Sequence, residues 1–105
     1  MIKTLNNLAV IILNYNSSEL SIAATKNILD LKTGAKVIVV DNCSTDNSQE
    51  VLDEKLGNVK NVYLEFSKSN KGYAAGNNIG IRAAEKLDVD TVLIMNPDIE
   101  VPDAK

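Results

Sequence analysis

KVIVVDNCSTDNSQEVLDEKL, Lys36 to Leu56, changes character at a single residue. Val37-Ile38-Val39-Val40 is a continuous apolar run, too short for a helix and apolar at both parities, so it reads as a strand covered on both faces. The run stops at Asp41-Asn42. After a polar turn, Asp46 to Leu56 carries Val51, Leu52 and Leu56 at helical spacing, with Ser44 or Asp46 placed to cap the helix start.

The same unit recurs in both directions. Leu8–Leu13, Asn61–Phe66 and Thr91–Met95 are further apolar runs of strand length. Ser18–Leu31 places Leu20, Ala23, Ala24, Asn27, Ile28 and Leu31 on one helical stripe. Gly72–Leu87 is a third helical pattern, with Ile81, Ala84 and Leu87 apolar. The order β-α-β-α-β-α-β predicts an α/β chain: a Rossmann-like three-layer sandwich around a mostly parallel sheet. In such open sheets, ligands bind beyond the carboxyl ends of the strands.

Composition narrows the function. The 105 residues are 45% hydrophobic and 24% charged, which suits one folded domain with a core. The formal charge of -3, without a clustered basic face, argues against a nucleic-acid partner. There is no histidine, which excludes a Ser-His triad and a histidine-ligated zinc within this chain. Cys43 is the only cysteine, so no internal disulfide forms and a reducing compartment is expected. The longest apolar run, Leu8 to Leu13, is too short to span a bilayer, and the N-terminus lacks a signal-peptide pattern. A cytoplasmic protein is expected, with room for peripheral association at the inner face of the membrane. A second copy completing the sheet is a further expectation.

The strand ends are polar at every turn. Asn14-Tyr15-Asn16 follows the first strand, Asp41-Asn42 the second, Ser67 to Gly72 the third and Asn96-Pro97-Asp98 the fourth. Asn, Asp, Ser and Gly are turn formers, but their concentration at all four ends points to a site. Tyr15 offers a ring face for a flat base. Asp41 can accept hydrogen bonds. Asn42 can both accept and donate, matching the edge of uracil or thymine. Gly72, Gly76 and Gly80 recur every fourth residue, with Ala84 continuing the row. Close packing on the sheet explains Gly80, whereas Gly72 and Gly76 lie near a helix start, where free N–H groups favour a phosphate. Asn77 and Asn78 lie one turn in. Pro97 fixes its own φ and makes Asn96 extended, so Asp98 arrives at a defined position, suited to holding Mg²⁺ or Mn²⁺. Glu100 and Asp103 read as solvated acids.

Taken in order, Val10 to Asn16, Val39 to Asp46, Asn70 to Asn78 and Met95 to Asp98 resemble the donor half of a family 2 glycosyltransferase with the GT-A fold. The Gly-Asn-Asn and Asn-Pro-Asp forms look most like its rhamnosyltransferase-type branch. The resemblance implies inverting transfer from a nucleotide-diphosphate sugar, UDP- or dTDP-linked, to the hydroxyl of a saccharide or lipid-linked acceptor, in cell-surface polysaccharide synthesis. It assigns nucleotide contacts to Asn14, Tyr15, Asn16, Asp41, Asn42, Gly72, Gly76, Asn77 and Asn96, and the metal to Asp98. This chain has Asn96 where the family usually has an aspartate, and Asn42 where it often has a second one. The resemblance places the catalytic base beyond residue 105, so residues 1–105 are expected to be the nucleotide-binding portion of a longer protein, without turnover alone.

Other readings fit less well. A dehydrogenase-type dinucleotide domain or a sugar nucleotidyltransferase needs a glycine-rich turn where Asn14-Tyr15-Asn16-Ser17 stands. A receiver-like domain needs an acidic pair there. The alternative from another class is a non-catalytic α/β nucleotide-binding or interaction module, which metal-dependent nucleotide binding would separate from the enzyme.

Overall fold

The computed structural model describes residues 7–69 and 72–97. Asp98, Glu100 and Asp103 lie outside the described residues. The element order is β1 (Leu8–Asn14), α1 (Ser18–Asp30), β2 (Lys36–Asp41), α2 (Ser48–Leu56), β3 (Val62–Phe66), α3 (Tyr73–Lys86) and β4 (Thr91–Met95). The strands form one parallel sheet in the order β3-β2-β1-β4.

Alternation along the central strands builds a core on each face. Val10, Ile12, Val37 and Val39 point to one side and pack with Ala24 and Ile28 of α1 and Leu52 and Leu56 of α2. Ala9, Ile11, Leu13, Ile38 and Val40 point to the other side and meet Ala84 of α3. The chain steps outward from β1 to β3 with α1 and α2 on one face, then jumps back to β4 with α3 on the opposite face. Reversing direction while changing face keeps every crossover the same hand, as parallel connections require.

Several boundaries move for local reasons. β1 runs on to Asn14 and β2 to Asp41, because these two residues stay in register and the Asn42 N–H reaches the Asn14 carbonyl at 2.8 Å. β3 starts at Val62 because Asn61 is left-handed, with φ 68°. α2 starts at Ser48 rather than Asp46, because the Asp46 carboxylate accepts the Ser48 N–H at 2.8 Å and forms the preceding turn.

Two sequence expectations fail. The buried face of α1 is Ser21, Ala24, Thr25 and Ile28, whereas Leu20 is 48% and Leu31 57% exposed. Two hydroxyls occupy the inner positions because both are satisfied there: Ser21 donates to Asn14 Oδ1 at 2.7 Å and Thr25 to the Ser21 carbonyl at 2.8 Å. β3 and β4, both read as buried strands, lie at the two edges of the sheet among the described residues, with Phe66 43% and Leu93 53% exposed.

The glycine row lets α3 lie close to β1. A Cβ on Gly80 would sit 2.6 Å from Ile11 Cγ2, in a β-branched side chain that is fully buried. A Cβ on Gly76 would meet the mobile end of Leu13 instead. Gly80→Ala gains about 1 kcal/mol of helix propensity but overpacks a stiff contact costing about 1–3 kcal/mol. Urea denaturation is expected to show a net loss of about 1 kcal/mol for Gly80→Ala. A stabilised variant would mean that Ile11 yields.

Candidate functional site

The strand order reverses between β1 and β4, so the crevice beyond their carboxyl ends is the topological switch point. The turn after β2 meets the N-terminal end of α3, and Gly76 of that helix packs on the end of β1. Asn14 and Asp41 form the last register pair of β1 and β2, and both are fully buried.

Asp41 is held by three side chains and a backbone amide. Its Oδ1 accepts from Asn14 Nδ2 at 2.8 Å and Ser44 Oγ at 2.5 Å, and its Oδ2 from the Ser44 N–H at 3.0 Å and Gln49 Nε2 at 2.8 Å. A carboxylate has about four acceptor positions, so these bonds use its capacity. Burial pushes its pKa up, but the bonds from Ser44, Gln49 and Asn14 outweigh burial and hold it below the ordinary carboxylate value. A lowered folded-state pKa stabilises the fold above the unfolded-state value, and that stability disappears as pH falls through the folded one. Denaturation from pH 7 to pH 3 is therefore expected to show wild type losing stability more steeply below about pH 4 than Asp41→Asn, which lacks the titration. Parallel pH curves would contradict this.

The turns beyond the strands are clipped together. Asn16, left-handed with φ 53°, accepts the Thr45 and Asp46 N–H groups on Oδ1 at 2.9 and 3.2 Å and donates to Thr45 Oγ1 at 3.0 Å. Ser44 Oγ accepts the Asn16 N–H at 2.9 Å. Cys43 is also left-handed, with φ 60°, and its Sγ lies 3.5 Å from the Lys68 carbonyl. On the α3 side, Asn42 Nδ2 donates to the Gly72 carbonyl at 3.3 Å, while Gly72 has φ 97°. Gly76 packs against Leu13 and Asn42.

The nine residues expected at the nucleotide thus occupy different positions. Asn14, Asp41 and the side chain of Asn16 are committed to the turns. Asn42, Gly72 and Gly76 form the joint between β2 and α3. Asn77 is only 7% exposed, and its Oδ1 accepts no hydrogen bond among the described residues. Tyr15, 44% exposed, and Asn96 stand open to solvent. Gln49 and Ser21 were not singled out in the sequence, and Ser44 was read there only as a helix cap. Ser44 follows Asp41 at turn spacing and was legible in principle; Gln49 and Ser21 reach the site from α2 and α1 and left no local signal. Among the described residues no group of three acidic, cysteine or histidine side chains could hold a metal ion.

Comparison with known proteins identifies the family and the fold. The family model for "Glycosyl transferase family 2" matches residues 9–105. A low-salt glycan biosynthesis hexosyltransferase of Haloferax volcanii is 34% identical over 99 residues, 92% of this chain and 29% of that protein. An uncharacterized glycosyltransferase of Haemophilus influenzae is 35% identical over 63 residues, 60% of this chain and 24% of that protein. Among solved structures, a mannosyltransferase from Pyrobaculum calidifontis in complex with GDP-Man and Mn²⁺ superposes with a TM-score of 0.75 at 23% identity, covering 91% of this chain and 28% of that one. S. aureus TarS, residues 1–349, gives a TM-score of 0.63 at 26% identity, covering 88% and 27%. The chain spans less than a third of the length of these relatives, and the shared fold is that of GT-A glycosyltransferases.

Proposed function

The chain belongs to glycosyl transferase family 2, and from that premise we propose that it is the donor-binding portion of a glycosyltransferase acting in glycan synthesis. The donor is a nucleotide-diphosphate sugar lying across the carboxyl ends of β1, β2 and β4. The observation that supports this reading is the switch point between β1 and β4, with the turns after β1 and β2 clipped together by hydrogen bonds and Asn42 tied to the start of α3. Tyr15 stacks on the base, Asn42 reads its edge, and Gly72 and Gly76 bring the backbone close to the diphosphate. The donor base is uracil or thymine on the Asn42 argument; the Pyrobaculum relative carries guanine in the corresponding donor.

Asp98, just beyond the described part of the β4 end, is the residue proposed to hold Mg²⁺ or Mn²⁺, which needs only one or two carboxylates when phosphates supply the rest. Such an ion, when bound, neutralises charge on the departing diphosphate. Transfer is proposed to invert the anomeric centre and to use a base from the region of the longer relatives that residues 1–105 do not span. The acceptor is a saccharide or lipid-linked hydroxyl.

Tyr15 gives the direct test. Base stacking on an aromatic ring contributes about 1–3 kcal/mol, so Tyr15→Ala is expected to weaken nucleotide binding about tenfold. The exposed ring adds little to folding, so the melting temperature without ligand should hardly change. Ligand-induced thermal shifts with UDP, dTDP and GDP in the presence of Mn²⁺ read both effects. An unchanged shift in Tyr15→Ala would remove the ring from the site.

A further inference from the structure

We propose that Ser44, Gln49, Asn14 and Ser21 are positioning residues for nucleotide binding: with Asp41 they close a partly buried hydrogen-bond circuit that fixes the β1 and β2 turns as one surface, so that the ligand meets Tyr15 and Asn42 and never the Asp41 carboxylate. This inference rests on the reading of the crevice as a nucleotide site.

The circuit joins four elements. Ser21 of α1 donates to Asn14 Oδ1 at 2.7 Å, and Asn14 Nδ2 donates to both Asp41 Oδ1 at 2.8 Å and Ser44 Oγ at 3.3 Å. Gln49 of α2 completes the Asp41 carboxylate at 2.8 Å. Ser44 Oγ donates once and accepts from Asn14 Nδ2 and the Asn16 N–H, which is a hydroxyl's full capacity. A ligand atom bonded to Asp41 would have to displace one of these donors in a fully buried place. Tyr15 and Asn42, by contrast, are the next residues along the two strands and follow wherever the circuit holds Asn14 and Asp41. Asn16 and Cys43 keep left-handed backbones at these turns. Such conformations are uncommon for non-glycine residues, and the circuit gives a physical reason for them to persist.

The experiment uses Gln49→Leu, which removes one donor from a partly exposed position and leaves the core intact, together with Ser44→Ala and Ser44→Thr. Amide hydrogen exchange is followed at Thr45 and Asp46, whose N–H groups bond to Asn16 Oδ1 rather than to Gln49 or the Ser44 hydroxyl. The circuit predicts roughly tenfold loss of protection there in Gln49→Leu and Ser44→Ala, unchanged protection at Ile11 and Ile38, and recovery in Ser44→Thr. Calorimetry with Mn²⁺ then compares UDP with inorganic pyrophosphate. UDP affinity should fall about tenfold in Gln49→Leu while pyrophosphate affinity stays the same, because the base contacts move and the phosphate contacts do not. Equal losses for both ligands, a uniform loss of protection, or no local change would overturn the proposal. A folded wild type that takes up no nucleotide would instead overturn the reading of the site, and the exchange result would still show whether the turns move together.

Discussion

Asp41→Ala is expected to lower the unfolding free energy by about 3–5 kcal/mol. Each buried donor left without an acceptor costs about 1–3 kcal/mol, and breaking a buried charged network is among the few mechanisms that reach such totals. Removing the carboxylate strips the acceptor from Asn14 Nδ2, the Ser44 hydroxyl, the Ser44 amide and Gln49 Nε2 in one step. Partial relaxation around the half-buried Gln49 keeps the sum below the four separate costs. A domain of this size has only about 5–15 kcal/mol in total, so the variant should unfold at much lower urea concentration or fail to accumulate. An aspartate whose main role is to touch a ligand from a solvated turn would change stability by less than about 1 kcal/mol on truncation; urea denaturation separates the two.

The second large effect is expected at Asp98. Under the proposed function this carboxylate anchors the divalent ion and, through it, the donor diphosphate. Asp98→Ala should weaken Mn²⁺-dependent nucleotide binding on the order of 100-fold, the size of losing one partner of a close charge contact at about 2–5 kcal/mol. Stability without ligand should hardly change, which is the reverse of the pattern expected for Asp41→Ala. Calorimetric titration of both variants tests the contrast, and full binding by Asp98→Ala would move the metal elsewhere.

Much of the architecture was legible because it follows from one-dimensional pattern. The runs at Leu8–Leu13 and Lys36–Val40 are apolar at both parities, which only a strand covered on both faces requires, and they are the two central strands. Gly80 was legible as a packing glycine, and its missing Cβ is where Ile11 sits. The inner face of α1 was not legible. Apolar periodicity pointed to Leu20 and Leu31, yet Ser21 and Thr25 turn inward because hydrogen bonds satisfy them there. The exposed edge of β4 was equally hidden, since composition reports that a strand is apolar and not how many neighbours it has. At the site, the sequence located Asn14 and Asp41 but not their burial. Polar residues at strand ends usually face water. Here the turns fold back over them through Asn16 and Ser44, a pairing of residues 28 apart that no local pattern encodes.

The central claim is that these strand ends hold a nucleotide diphosphate. The most direct measurement is a calorimetric titration of the folded chain with UDP, dTDP and GDP, each with and without Mn²⁺. Saturable binding of a nucleoside diphosphate that strengthens with the metal is expected. A folded chain that takes up none of the three in the presence of Mn²⁺ would contradict it.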